Sequence, residues 1–226
     1  MKLISISAML FDHIAGVYIS HDTPWGMAMR IPGRIVAPIM CYMISEGYYY
    51  TRSKGKYLLR LILFALLSHI PYNLCMGTSF PTTGVMWSLA MGQTALCTVK
   101  LEKIPVVLKG VAVLLCCLLA YYANWNFVGV LWILMFGLLH GDFKKQMLGF
   151  AVIGFLFHIV PTFTYLDFGF EHTLPHWYQL FIFAAIPLLA LYNGQKGGSK
   201  MLSRLFYWFY PGHLLLIYLL QLIFPK

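Results

Sequence analysis

Leu3 to Ser20, LISISAMLFDHIAGVYIS, decides how this chain is read. Eighteen mostly apolar residues are about enough to cross a bilayer as a helix, and Asp12 and His13 stand in the middle of the run. At 1.5 Å per residue, His13 lies roughly 15 Å below the start of such a helix, near the midplane. Ionisable side chains are costly at that depth and mark a functional site. A neighbouring carboxylate and imidazole there read as an acid–base pair. The same pair argues against a cleaved signal peptide.

Working outward, the composition agrees with a membrane span. Of 226 residues, 60% are hydrophobic and only 10% charged, too few to cover a soluble domain of that length. Apolar windows recur at roughly 3–20, 30–51, 56–76, 84–100, 104–122, 125–140, 145–165, 174–192 and 202–224. The expected fold is all-α, a polytopic transmembrane helical bundle of about nine spans. No soluble domain is attached, so residues 1–226 read as one integral-membrane domain.

The net charge of +9 sits in short connections between apolar runs. It reads as topology signal and phosphate contact, and nucleic acid is not an expected partner. The even-numbered connections hold Arg52, Lys54 and Lys56, then Lys100 and Lys103, Lys144 and Lys145, and Lys196, Lys200 and Arg204. The odd-numbered ones hold Asp22, Asp167 and Glu171. Lysine and arginine favour the cytoplasmic side, which places the amino terminus in the cytoplasm. The five cysteines lack CxxC spacing and read as small buried hydrophobes rather than metal ligands.

Orientation gives depth. His69 lies nine residues beyond Arg60, and His213 nine beyond Arg204, so both fall roughly 14 Å along their helices, near the level of His13. Either the three imidazoles face a shared polar interior, or each is a neutral histidine bonded to a neighbouring carbonyl. Arg30 and Arg34 are one turn apart and share a face at the outer end of the second span. They snorkel to the headgroups, face an anionic or carbonyl-bearing substrate, or fix Asp12. Glu46 reads as a structural partner of Arg60 or of the Arg52–Lys56 cluster.

Arg52, Lys54, Lys56 and Arg60 place four positive charges at one membrane face. Beyond setting topology, they suit a phosphorylated ligand or anionic inner-leaflet lipid. No P-loop, strand-borne GxGxxG, GxSxG elbow or HExxH helix is present, which removes those chemistries. His158, three residues before Pro161, is a weaker candidate. Asp167, Glu171, His172 and His176 read as a solvated loop rather than a metal site.

The residues singled out also carry a resemblance. MLFDHIAGV, RIPGRIVAPIMCYMISEGYYYTRSKGKYLLRLILFALLSHIPY, WNFVGVLWILMF, LLALYNGQKGG and FYWFYPGHLLLIY resemble the TraX family of membrane proteins over nearly the whole chain. The Asp-His pair, the Gly-Arg-then-Pro stretch, the Glu-Gly-Tyr with its basic loop and the closing FYPxH are its specific parts. Lys2 with His13, and SEGYYY with its basic tail, are distantly similar to the acyltransferase-3 enzymes, with lysine in place of the usual arginine and Glu46 splitting Ser45 from Gly47.

TraX is associated with acetylation of a pilin amino terminus. The resemblance therefore implies an acetyltransferase of the bacterial inner membrane that passes acetyl from cytoplasmic acetyl-CoA to an amine or hydroxyl on an envelope acceptor. That acceptor is a peptide, a glycan or a lipid headgroup. In that reading His13 is the general base and Asp12 its support, acting through another group because adjacent helical residues point about 100° apart. Arg30, Arg34, His69, Tyr210 or His213 bind substrate or polarise its carbonyl, and Arg52, Lys54, Lys56 and Arg60 hold the donor's phosphates. The alternative is a small proton-coupled transporter or channel with a midplane histidine path.

Overall fold

The computed structural model describes residues 1–19, 23–163, 178–194 and 200–224. Asp22, Asp167, Glu171, His172, His176 and Lys196 lie outside them, as do the side chains of Lys2, Lys200 and Arg204. Each of the nine apolar stretches is helical in its described part, and the described residues contain no strand beyond an isolated bridge between Thr83 and Ala123.

In chain order the elements are α1 (Lys2–Tyr18), α2 (Pro24–Arg34), α3 (Val36–Tyr50), α4 (Lys54–Met76), α5 (Val85–Val99), α6 (Val106–Leu119), α7 (Asn126–Leu138) and α8 (Phe143–Gly154). The last runs through a π-helical turn, Phe155–Ile159, into α9 (Val160–Phe163). A 3-10 segment, Tyr178–Ala184, leads into α10 (Ala185–Ala190), and α11 (Lys200–Ile223) follows.

The second segment starts six residues earlier than hydropathy suggests, at Pro24 instead of residue 30. The Thr23 hydroxyl accepts the Gly26 N–H at 3.0 Å, and Pro24 occupies the first turn, where a missing N–H costs nothing. Arg30 and Arg34 therefore sit within a helix, not at its outer tip. The segment breaks at Ile35 for an equally local reason. Pro38 has no N–H for the Arg34 carbonyl, and its ring crowds that oxygen. At the far end of α4, Gly77 takes the left-handed conformation at φ 64° and stops the helix.

Surface pattern identifies the solvent. Leu59, Leu63, Leu66, Ile70 and Leu74 form one exposed stripe along α4, while Tyr57, Leu61, Ala65, Ser68, Tyr72 and Cys75 face inward. Nearly all of α6 points outward, with Cys116 its buried residue. Apolar side chains outside and polar or small ones inside suit lipid, not water, so the chain is a multi-pass membrane protein. Trp25–Tyr50, Lys54–Met76 and Leu205–Ile223 are long and apolar enough to cross a bilayer, and five shorter apolar helices accompany them.

The packed centre is α7, held between α5 and α3 with Trp132, Ile133 and Phe136 fully buried. A Cβ at Gly92 would overlap Ile133, so this glycine sets how closely α5 and α7 approach. The first helix lies beside that core, against α2, α3, α4 and α11. That placement brings Asp12 and His13 to two different neighbours.

Candidate active site where α1, α2 and α11 meet

Asp12 turns toward α2. Its Oδ1 lies 3.3 Å from Arg30 Nε and 3.5 Å from Arg34 Nη2. The two arginines share one carboxylate because they stand four residues apart on one helical face. Gly33, between them, permits the approach, since a Cβ there would overlap the Asp12 carboxyl group and its Cβ. A carboxylate and two guanidiniums sum to one net positive charge; Asp12 and Arg34 are buried and Arg30 is half-buried. Among the readings of these arginines, the geometry is that of fixing Asp12.

Arg34 is held from several sides. Its Nη1 donates to Gln179 Oε1 at 3.4 Å, and the guanidinium lies 5.0 Å from the Tyr178 ring and 5.5 Å from the Trp125 ring. Its Nε is buried and has no hydrogen-bond partner among the described residues. That N–H is a cationic donor aimed into the protein with no acceptor. His158 joins the same surroundings from the π-helical turn, packed against Trp125 and Trp132 at 5.3 and 5.5 Å. An extra residue in a helical turn commonly marks a functional position.

His13 turns the other way, toward α11. Its Nδ1 lies 2.8 Å from His213 Nε2, with the rings 5.0 Å apart and nearly parallel at 5°. His213 Nδ1 in turn lies 2.6 Å from the Phe209 carbonyl, one turn earlier in its own helix. Both histidines are buried. Tyr210 sets its ring edge-on to both, and its hydroxyl accepts the Val85 N–H at 3.2 Å. In that contact the Tyr210 oxygen accepts, so its O–H remains a donor.

His69 does not join the other two histidines. It is half-buried on α4, 3.4 Å from Asn73 Nδ2 and edge-on to Phe80 at 5.0 Å. Neighbouring Ser68 and Tyr72 take the buried face, and His69 lies about 100° away from Ser68 around the helix. The pattern of small and polar residues on α4 was the signal for this. The structure brings together His13 and His213, not three imidazoles.

The basic residues gather at the start of α4 and are exposed. Lys54 Nζ bonds Tyr48 Oη at 3.0 Å and lies over its ring, while Arg60 sits over Tyr57 and Tyr207. Glu46 is paired neither with Arg60 nor with the Arg52–Lys56 loop. Its Oε1 lies 3.2 Å from His140 Nε2, and Tyr49 stacks on that imidazole at 3.7 Å. Sequence reasoning missed His140, because a residue 94 positions away from Glu46 leaves no local trace. Gln179, the one amide in the apolar run YQLFIFA, carries a signal that is local to the sequence. No group of three histidine, cysteine or acidic residues able to hold a metal occurs among the described residues.

A probable fimbrial assembly protein FimC, serogroup H1, of Dichelobacter nodosus is 28% identical over 241 aligned positions, covering 96% of this chain and 92% of that protein. An uncharacterized protein of Rickettsia prowazekii is 25% identical over 156 positions, covering 69% of this chain and 54% of its own length. No solved structure matches the chain. The likeness to acyltransferase-3 enzymes is not carried by these matches. The TraX protein family matches residues 1–221, the stretch that includes Asp12, His13, both arginines and His213, and the chain belongs to that family.

Proposed function

We propose that this protein is an acetyltransferase of the bacterial inner membrane, moving acetyl from cytoplasmic acetyl-CoA to an amine or hydroxyl of an envelope acceptor. The observation that carries the reading is the division of labour around α1. Asp12 is committed to two arginines, which leaves His13 bonded to a neutral partner and available as a base. The resemblance to TraX supplies the reaction, and the name of the Dichelobacter relative points to a fimbrial subunit among the candidate acceptors.

In this mechanism His13 takes the proton of the acceptor N–H or O–H as the acceptor attacks the thioester carbonyl. The oxygen that becomes negative is met by the net positive cluster, in which the unpartnered Arg34 Nε–H is a charged donor left to give. Such donors act most strongly where water is excluded. Collapse breaks the C–S bond, and the departing CoA thiolate takes the proton from His13. Arg52, Lys54, Lys56 and Arg60 hold the donor's phosphates at the cytoplasmic mouth through charge-assisted hydrogen bonds. Arg30 acts through Asp12, and His69 and Tyr210 shape the surroundings.

The test uses the full chain in proteoliposomes with labelled acetyl-CoA and an envelope extract as acceptor. His13→Ala is expected to lower label transfer by about 10²–10⁴-fold, the usual range for a general base. Transfer at the wild-type rate in that variant overturns the assignment. Histidine pairs also serve proton-coupled transport, and solute uptake driven by a pH gradient without acetyl transfer would favour that second reading.

A further inference from the structure

The direction of the His13–His213 contact follows from a neighbour that can only accept. A carbonyl oxygen only accepts, so the 2.6 Å contact between the Phe209 carbonyl and His213 Nδ1 places a proton on that nitrogen. In a neutral ring the other nitrogen, Nε2, is then bare and acts only as an acceptor. It faces His13 Nδ1 at 2.8 Å, so His13 carries its own proton on Nδ1. The bare nitrogen of His13 is therefore Nε2. One carbonyl on α11 decides which atom on α1 can take a proton.

We propose that His213 is a positioning residue that locks His13 in the tautomer whose free lone pair is on Nε2, so that the base is aimed before substrate arrives. The proposal rests on the acyltransferase reading for its chemistry and on hydrogen-bond direction for its geometry. It also moves His213 away from the substrate-gripping role its depth suggests, because both its ring nitrogens are already engaged.

Three further observations support a fixed element. The Phe209 ring stacks on His213 at 4.6 Å and 14°, which opposes rotation of the imidazole. Tyr210 closes in edge-on to both rings and is itself tied to the backbone of α5. The nearby carboxylate, Asp12, is bound by Arg30 and Arg34, so the usual orienter of a catalytic histidine is replaced by a second histidine. When His13 Nε2 accepts the acceptor's proton, its Nδ1–H still donates to His213, and the positive charge is shared along the line ending at the Phe209 carbonyl. The proton leaves again from Nε2 to the CoA thiolate, so the pair returns unchanged.

The test combines spectroscopy with kinetics on the full chain in lipid nanodiscs. Nitrogen NMR of ¹⁵N-histidine protein, with His13 assigned by its loss in His13→Gln, is expected to show a protonated Nδ1 and a bare Nε2. In His213→Leu the His13 signals should shift toward the other tautomer. Turnover in that variant should fall about 10²-fold with the acetyl-CoA KM within about twofold. His213→Gln, whose side-chain oxygen can accept from His13 Nδ1, should recover to within about tenfold of wild type.

A protonated Nε2 on His13 in the wild type overturns the proposal. So does wild-type turnover in His213→Leu, or a His213→Gln variant with the wild-type thermal midpoint that is as slow as His213→Leu. The parent reading fails differently. If His13→Ala transfers label normally, the acyltransferase assignment falls, while the NMR result still decides the tautomer.

Discussion

Among the described residues, two carboxylate–imidazole neighbourhoods are built in opposite ways. At the end of α3, Glu46 pairs directly with His140, each satisfying the other, with Tyr49 stacked on the ring and its hydroxyl bonded to the Gly137 carbonyl. On α1, Asp12 and His13 are adjacent in sequence yet do not pair. The carboxylate goes to Arg30 and Arg34 and the imidazole to His213. A direct pair ties up both members and reads as structure. A separated pair leaves each member to other partners, the arrangement that the proposed acyl transfer calls for.

Removing Asp12 should have the largest effect on stability. Asp12→Ala takes the carboxylate from the buried Arg34 and the half-buried Arg30, at a cost of about 3 kcal/mol, the low end for breaking a buried pair. Thermal unfolding in detergent with a fluorescence readout checks this. A loss below about 1 kcal/mol would mean the arginines find water or headgroups instead, and that the cluster is more open than it appears from its burial.

A subtler change asks whether close approach matters rather than charge. Gly33→Ala keeps all three charges but places a methyl where the Asp12 side chain lies, forcing α1 and α2 apart. Overpacking of this kind costs about 1–3 kcal/mol. Acetyl transfer should fall along with stability, because His13 rides on the displaced helix. Unchanged activity and unchanged melting would show that Asp12 can leave Gly33 without consequence.

Glu46→Gln probes the other neighbourhood and should do least. His140 has a side chain 31% exposed and can turn to solvent, so the expected loss is about 1 kcal/mol. Acetyl transfer should stay within about twofold of wild type. A large loss of transfer with normal folding would make the Glu46–His140 pair a second working site and erase the contrast drawn above.

How much of this was legible in advance follows from what each argument used. Hydropathy located all nine helical stretches, since a span needs only a run of apolar residues. It misplaced the start of the second because capping by Thr23 and Pro24 is local chemistry that an averaging window smooths away. Counting residues predicts His13, His69 and His213 at one level, because rise per residue is fixed, and His13 does meet His213. It did not say which would meet, because azimuth around each axis depends on the neighbouring helix. Tyr210, His213, Leu214 and Ile217 form the buried stripe of α11, whereas His69 lies beside the buried stripe of α4.

Sequence alone therefore determined the membrane class, the segment order and the anomaly of Asp12 and His13 in an apolar run. Each follows from local composition and from helical rise, which need no partner. Only the tertiary structure decided that Asp12 belongs to Arg30 and Arg34, that His13 belongs to His213, and that Glu46 belongs to His140. Those pairings join residues from 18 to 200 positions apart. They exist because packing sets which face of each helix its neighbour sees, and a hydrogen bond forms only where two faces coincide.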